Sequence, residues 1–161
     1  METDYVKVHA DLSEIVLYRG DVAKESHKNL FALDDRCYFS TGEKIVSSVS
    51  AVCRENLRKL HIACGWETIL KVALWTENLA LHDVLSFVKK CGLTDEEVSL
   101  FKRSEIDDIF PWLYYGKRID VLRRICNLAK AKAESKAGGK QLRVFCHLVS
   151  AETEKIVASS L

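Results

Sequence analysis

Apolar residues recur at helical spacing through most of the chain after Ser40, and this periodicity limits the available folds more than any other feature. Apolar positions three or four residues apart form one face of an α-helix, whereas a half-buried strand alternates every second residue. The chain holds one proline, Pro111, and seven glycines, so few residues interrupt the pattern. The periodicity predicts an all-α fold, a single-domain bundle of about six to eight helices.

The longest helix is predicted from Gly42 to Cys64. Ser40 and Glu43 have the spacing of a capping box, in which each of two side chains bonds a backbone N–H group at the helix start. Gly65 is a natural stop signal. The same spacing predicts helices from Trp66 to Leu74, Leu81 to Gly92, Thr94 to Arg103, Ser104 to Pro111, Lys117 to Ala137 and Leu142 to Ile156. The stretch from Gln141 to Val149 also fits a strand.

Residues 1–40 carry weaker signals and are expected to be an irregular part that packs on the bundle. Ser13–Tyr18 fits either a short helix or a strand, and Arg36–Phe39 fits an extended segment. Asp21 can cap a short helix. We therefore expect one helical domain over residues 1–161, with a short extended segment near the N-terminus.

The composition fits a folded protein inside the cell. The 161 residues carry a net charge of +1, and no apolar run approaches the roughly 18 to 20 residues that span a membrane. The polar start lacks the basic and then apolar layout of a signal peptide. The six cysteines have long, irregular gaps, which favours reduced, buried thiols over a disulfide framework or a zinc site. These features predict a cytoplasmic location.

Positive charge is concentrated near the C-terminal end of the chain. Nine basic and two acidic residues lie between Lys117 and Arg143, directly after an aromatic cluster. Such a face can be solvated, can pair with the acids of residues 95–108, or can meet phosphate while the aromatic rings stack on unpaired bases. We predict a binding surface made of Trp112, Tyr114, Tyr115, Lys117, Arg118, Arg123, Arg124 and Lys130.

Signatures of catalysis or metal binding are not found in the sequence. There is no phosphate-cradling glycine-rich loop, no HExxH helix and no GxSxG motif. Of the five histidines, His61 has a thiol three residues away, Cys64, and two ligands do not complete a tetrahedral site. A cysteine–histidine pair formed in space stays open. We predict no catalytic residue, no metal, no cofactor and no enzyme activity.

Two short stretches loosely resemble a family of helical adaptors. Leu81–Arg103 and Tyr115–Ile125 resemble helices of a death effector domain, and Arg118–Leu122 is similar to its Arg-x-Asp-Leu signature. The resemblance implies an assembly adaptor in cell-death signalling, with Arg118 and Asp120 in a charge triad. The residues between the two stretches are too few for two of the family's helices, so we assign the chain to no family.

The sequence therefore predicts a non-enzymatic interaction or adaptor protein that self-associates through residues 111–143. The alternative is an RNA-binding protein, of viral or regulatory type, that uses the cationic face of helix 117–137. The expected partners are another protein, a second copy of the chain, or RNA, with no membrane and no small-molecule substrate.

Overall fold

One mixed sheet of five strands organises the computed structural model, which describes residues 13–53, 57–138 and 141–160. The strands β1 to β5 are Glu14–Tyr18, Tyr38–Ser40, Lys59–Cys64, Arg143–Ser150 and Lys155–Ser159. Their order across the sheet is β2-β1-β3-β4-β5. The first four are parallel, and β5 pairs antiparallel with β4. This is an α/β fold, and the predicted all-α bundle is wrong.

Seven α-helices accompany the sheet among these residues. The helices α1 to α7 are Asp21–Phe31, Ile45–Val52, Trp66–Leu74, Leu81–Lys90, Asp95–Ser99, Ile109–Tyr115 and Ile119–Lys136. Short 3-10 turns at Asp35–Cys37 and Ile106–Asp108 precede β2 and α6. Within the described ranges, no helix combines the length and apolar character needed to cross a membrane.

The two faces of the sheet have different covers. One face packs on α3 and α7 in the main apolar core, to which α2 and α4 also contribute and which includes Ile15, Leu17, Leu60, Ile62 and Leu148 of the strands. The other face packs on α1 in a smaller cluster formed by Val16, Ala23, Tyr38, Ala63 and Val149. Strands buried on both faces have near-continuous apolar runs, and that is why their alternation is hidden in the sequence.

The order of the parallel strands creates a switch point. From β1 the chain passes to β2 on one side, and then crosses back to β3 on the other side. The loops after β1 and β3 therefore diverge at the carboxyl edge of the sheet, which is where open α/β sheets bind their ligands.

The predicted helix from Gly42 to Cys64 is the largest error in the sequence-based assignment. Its first part is α2, but its last part is the central strand β3. Ser40 belongs to β2 and does not cap a helix. The last predicted helix, Leu142 to Ile156, is also wrong, because its residues contribute to β4 and β5. The alternative prediction of a strand within Gln141–Val149 is confirmed.

Other local predictions agree with the structure. The predicted helix from Lys117 to Ala137 is α7, and Thr94 and Glu97 form the expected capping box at the start of α5. Residues 13–40 form β1, α1 and β2 and are not irregular, whereas residues 1–12 lie outside the described ranges. The stretches that resemble a death effector domain lie in α4, α5 and α7 of an α/β fold, so the helical-adaptor fold that they imply is wrong. The assignment of the whole chain to one domain stays a prediction.

Candidate functional site

Three buried histidines meet between α1 and the sheet. His27 Nε2 lies 3.0 Å from His61 Nδ1, and His61 Nδ1 lies 3.2 Å from His147 Nε2. The nitrogen atoms that the three side chains offer to one another all lie within 4.8 Å. We call these three residues the histidine cluster.

Strand pairing brings the cluster together. His61 on β3 lies beside Val16 on β1 and Phe145 on β4, and His147 lies two residues after Phe145. Because side chains alternate between the two faces of a strand, His61, Phe145 and His147 point to the face that α1 covers. His27 lies on the side of α1 that is buried against this face, together with Ala23 and Ser26.

The second ring nitrogen of each histidine lies at hydrogen-bond distance from an oxygen atom. His27 Nδ1 is 2.7 Å from the Tyr38 hydroxyl oxygen of β2. His61 Nε2 is 2.7 Å from Glu14 Oε2 of β1, and His147 Nδ1 is 2.8 Å from Ser159 Oγ of β5. Each of the five strands therefore contributes a polar side chain to one connected group.

Aromatic rings enclose the cluster. Phe31, the last residue of α1, stacks on His27 at 4.4 Å between ring centroids, and lies 5.2 Å from His61 and 5.0 Å from His147. Phe145 stacks on His61 at 5.1 Å. The three histidines are 0%, 4% and 3% exposed, whereas Phe31 is 42% exposed. One phenyl ring thus separates the cluster from solvent on that side.

Burial keeps the three imidazole rings neutral. Burial, with a smaller effect from the neighbouring histidines, lowers the pKa of His27 to about 4 and that of His147 to about 3. Burial also lowers the pKa of His61, although the hydrogen bond to Glu14 acts in the opposite direction. The neutral imidazole is the form that binds metal ions or passes a proton between its two nitrogens.

The cluster can therefore do two kinds of chemistry. The three converging nitrogens can bind a metal ion, since imidazole is a common ligand for transition metals. Without an ion, Tyr38, His27, His61 and Glu14 form a hydrogen-bonded chain that can relay a proton from the hydroxyl to the carboxylate.

Sequence reasoning missed this site because it paired His61 with Cys64 on a helix. These residues belong to β3, and three residues apart on a strand they face opposite sides of the sheet. Two of the three histidines interrupt buried apolar strands, KLHIAC and RVFCHLVS. A histidine within such a run was the available signal, because a buried polar side chain needs a partner.

The predicted aromatic residues pack against other rings of the helical layer. Trp112 meets Phe101 edge-on at 5.5 Å, and Tyr114 stacks on Phe110 at 5.8 Å. Tyr115 is exposed, and the hydrogen bond that it forms with Glu152 raises its pKa.

The predicted basic residues lie along α7 and at the turn before it. Arg118 donates to Glu97 Oε2 at 3.0 Å and Arg124 donates to the Cys91 carbonyl at 3.1 Å, so both tie α7 to neighbouring segments. Lys130 lies over the ring of Phe145 at 5.2 Å, and Phe145 in turn stacks on His61. Lys117 and Arg123 are exposed. The use of these eight residues as a binding surface stays a prediction, as do its partners.

Comparison with known proteins gives one informative similarity. The chain is 25% identical over 145 residues to a cobalt-precorrin-5B C(1)-methyltransferase of Desulfotalea psychrophila (strain LSv54 / DSM 12343). The match covers 84% of this chain but 40% of that protein, so the chain spans well under half of the relative's length. No protein-family model and no solved structure matches the chain.

This similarity corrects the functional predictions. The predicted non-enzymatic adaptor is wrong, because the chain resembles an enzyme over most of the chain's length. Self-association stays a prediction. The RNA-binding alternative has no support in the comparison either. The positive surface charge of residues 117–143 suggested both the adaptor and the RNA-binding predictions. Part of this charge is used within the molecule, because Arg118 and Arg124 form hydrogen bonds to neighbouring segments.

Proposed function

We propose that this chain is a domain of an enzyme that takes part in methyl transfer to a cobalt-precorrin. The observation that carries the proposal is the similarity to a cobalt-precorrin-5B C(1)-methyltransferase over 84% of the chain. An alignment over that share of the chain includes many residues of the sheet and the helices. The two proteins are therefore similar over much of the fold and not in a single motif.

The architecture supports an enzymatic role. Ligands of open α/β sheets bind at the carboxyl edge, where the strand order reverses, and here that edge carries the loops after β1 and β3. Gly20 and Gly65 lie in these two loops, and Gly42 lies in the loop after β2. Gly20 and Gly42 have positive φ angles and no heavy atom within 4 Å of a Cβ built on them. Their backbones are therefore open to a close-packed ligand.

Because the match covers 40% of the methyltransferase, we expect the chain to bind one of the two reactants rather than complete the reaction alone. Arg19 is exposed directly after β1, where its guanidinium can meet an acidic substituent of the macrocycle. The cytoplasmic location belongs to the same proposal, and the six free thiols of the structure support it.

The test is direct binding of both reactant classes. Dicyanocobyrinic acid serves as a corrinoid that keeps free carboxylate substituents and whose axial positions are filled, so that histidine coordination to its cobalt is blocked. S-adenosylhomocysteine represents the common biological methyl donor after transfer. We expect calorimetry to detect one ligand per chain for one of the two, and Arg19→Glu to weaken corrinoid binding at least about tenfold if a charge-assisted contact is lost.

Lys132→Glu is the matched control, since Lys132 is exposed near the end of α7, at the opposite edge of the sheet. It changes the same charge and should leave the affinity unchanged. Absence of binding for both ligands would overturn the proposal.

A further inference from the structure

We infer that the histidine cluster is a binding site for a divalent transition-metal ion of the Zn²⁺ class, with His27 Nε2, His61 Nδ1 and His147 Nε2 as its ligands. The inference stands on the geometry of the cluster and goes beyond the proposed methyl transfer.

Two of the three nitrogen separations are close to those of a metal site. An ion about 2.0 to 2.1 Å from each imidazole nitrogen of a tetrahedral site holds those nitrogens about 3.3 Å apart. The two measured separations are 3.0 Å and 3.2 Å, and all three nitrogens fall within 4.8 Å of one another. A single ion can therefore reach all three once the rings of His27 and His147 turn toward it.

The surroundings of the rings have the form of a metal-ligand shell. Metal-binding histidines almost always give their other ring N–H to a carboxylate, a carbonyl or water, which fixes the tautomer and the ring orientation. Here Glu14, Tyr38 and Ser159 supply one oxygen atom to each ring at 2.7 to 2.8 Å. These three partners come from three different strands, so the sheet itself orients the ligands.

Hydrogen bonds alone do not give a good partner to each of the three ring nitrogens that face one another in the cluster. The Glu14 carboxylate accepts from His61 Nε2, so His61 Nδ1 carries a lone pair and no proton. That one lone pair faces two neighbouring nitrogens, from His27 and from His147. It can accept one well-aligned hydrogen bond, whereas a cation at the centre satisfies all three nitrogens together.

The chemistry of the ligands selects the class of ion. Three neutral imidazoles without a carboxylate ligand suit Zn²⁺, Co²⁺, Ni²⁺ or Cu²⁺, whereas Mg²⁺ and Ca²⁺ require oxygen ligands. The convergent group has three members among the described residues. Three protein ligands leave one position of a tetrahedral ion open, as in catalytic zinc sites. Phe31 borders the site, because its ring stacks on His27 and lies tilted against His61 and His147.

The test titrates tag-free, chelator-treated protein with Zn²⁺ in a calorimeter. We expect one Zn²⁺ per chain, with His61→Asn losing that binding. His82→Ala is the matched control, because His82 is exposed on α4, and it should bind like the parent. Titration with Co²⁺ adds a visible spectrum, and we expect the absorption bands of a four-coordinate ion to appear in the parent and to be lost in His61→Asn.

Two further variants keep the test decisive if His61→Asn does not fold. Ser159→Ala and Tyr38→Phe remove partners of the ligand rings, and each should weaken Zn²⁺ binding about 10- to 100-fold with an unchanged circular dichroism spectrum. The inference is overturned if the parent binds no stoichiometric Zn²⁺, if His61→Asn binds as His82→Ala does, or if neither partner variant alters the affinity.

Discussion

At the scale of single residues, the histidine cluster is where burial and polarity compete most strongly. Three imidazoles lie in a place that apolar side chains fill elsewhere in the sheet. Burying a polar group costs free energy unless it keeps a hydrogen-bond partner, and each of the three rings does so. Protonated His27 and His147 are strongly disfavoured, because each would be a buried positive charge beside two other imidazoles.

We therefore expect the free energy of unfolding of the metal-free protein to decrease as the pH falls below about 6.5, the ordinary pKa of histidine. Between that value and the folded-state pKa values, about 4 for His27 and about 3 for His147, the unfolded chain binds protons that the folded protein does not. Each such histidine lowers the free energy of unfolding by about 1.4 kcal/mol per pH unit. Urea unfolding at pH 7, 6 and 5 measures this slope.

The variant His147→Asn isolates one of these groups. Its slope should be shallower than that of the parent by about 1.4 kcal/mol per pH unit, whereas His82→Ala, at an exposed position, should keep the parent slope. The same slope in His147→Asn and in the parent would contradict the assignment of the proton uptake to the cluster.

The sequence could show that histidines interrupt buried strands, but not that they meet. His27 and His61 are 34 positions apart, and His61 and His147 are 86 positions apart. Their convergence depends on the register of β3 against β4 and on the packing of α1 against both strands, which no local pattern encodes. The oxygen partners Glu14, Tyr38 and Ser159 carry no local signal either, since each becomes meaningful only in the assembled sheet.

At the scale of elements, α2 shows why a local capping signal failed. The Ser40–Glu43 spacing predicts a helix start, yet α2 begins at Ile45, after a residue that makes no capping bond. The side chain of Glu77, which is distant in sequence, caps α2 instead. The backbone N–H groups of Val46 and Ser47 donate to its carboxylate at 3.0 and 3.4 Å. The negative charge also interacts favourably with the helix dipole.

Replacing Glu77 with alanine should lower the free energy of unfolding by about 1 kcal/mol, the usual cost of losing a helix N-cap. The matched control is Glu43→Ala, which removes the carboxylate that the sequence pattern selected and that is exposed in the structure. We expect a change of less than about 0.5 kcal/mol for that variant. Urea unfolding of both variants at pH 7 measures the difference, and equal effects would show that Glu77 does not cap α2.

Elements with local signals were predictable, and elements without them were not. The spacing and end signals of α5 and α7 lie within the elements themselves, so the sequence located both. Strand β3 pairs on one side with β1 and on the other with β4, both distant in sequence. Burial on both faces removes the alternation that would reveal such a strand, and the remaining apolar run was interpreted as the end of a helix.

At the scale of the whole molecule, α1 is attached to the sheet differently from the other helices. The opposite face packs on several helices through large apolar side chains. The buried residues of α1 are Ala23, Ser26 and His27, and Leu30 and Phe31 are exposed large apolar residues at its end. The stabilisation from apolar burial is roughly proportional to the area buried, and the apolar cluster under α1 is smaller than the one on the opposite face. Docking of α1 therefore also depends on its buried polar side chains, through the histidine cluster and the hydrogen bond that Ser26 Oγ donates to the Glu154 carbonyl at 3.0 Å.

An ion in the cluster should consequently stabilise the whole protein and α1 in particular. An ion that binds the folded state alone adds about 2.7 kcal/mol at a free concentration 100 times its Kd. For a chain of this size, that corresponds to an increase in Tm of roughly 5 to 10 °C. Thermal unfolding of chelator-treated protein with and without Zn²⁺ measures the increase, and His61→Asn should show none of it.

Hydrogen exchange then separates a specific effect from a general one. Because His27 lies on α1 and the other two ligands lie on β3 and β4, the ion joins the helix directly to the centre of the sheet. Amide exchange should slow most in α1, which we expect to open locally in the metal-free protein. Uniform slowing across α1 and α7, or an increase in Tm that persists in His61→Asn, would mean that Zn²⁺ acts elsewhere on the molecule.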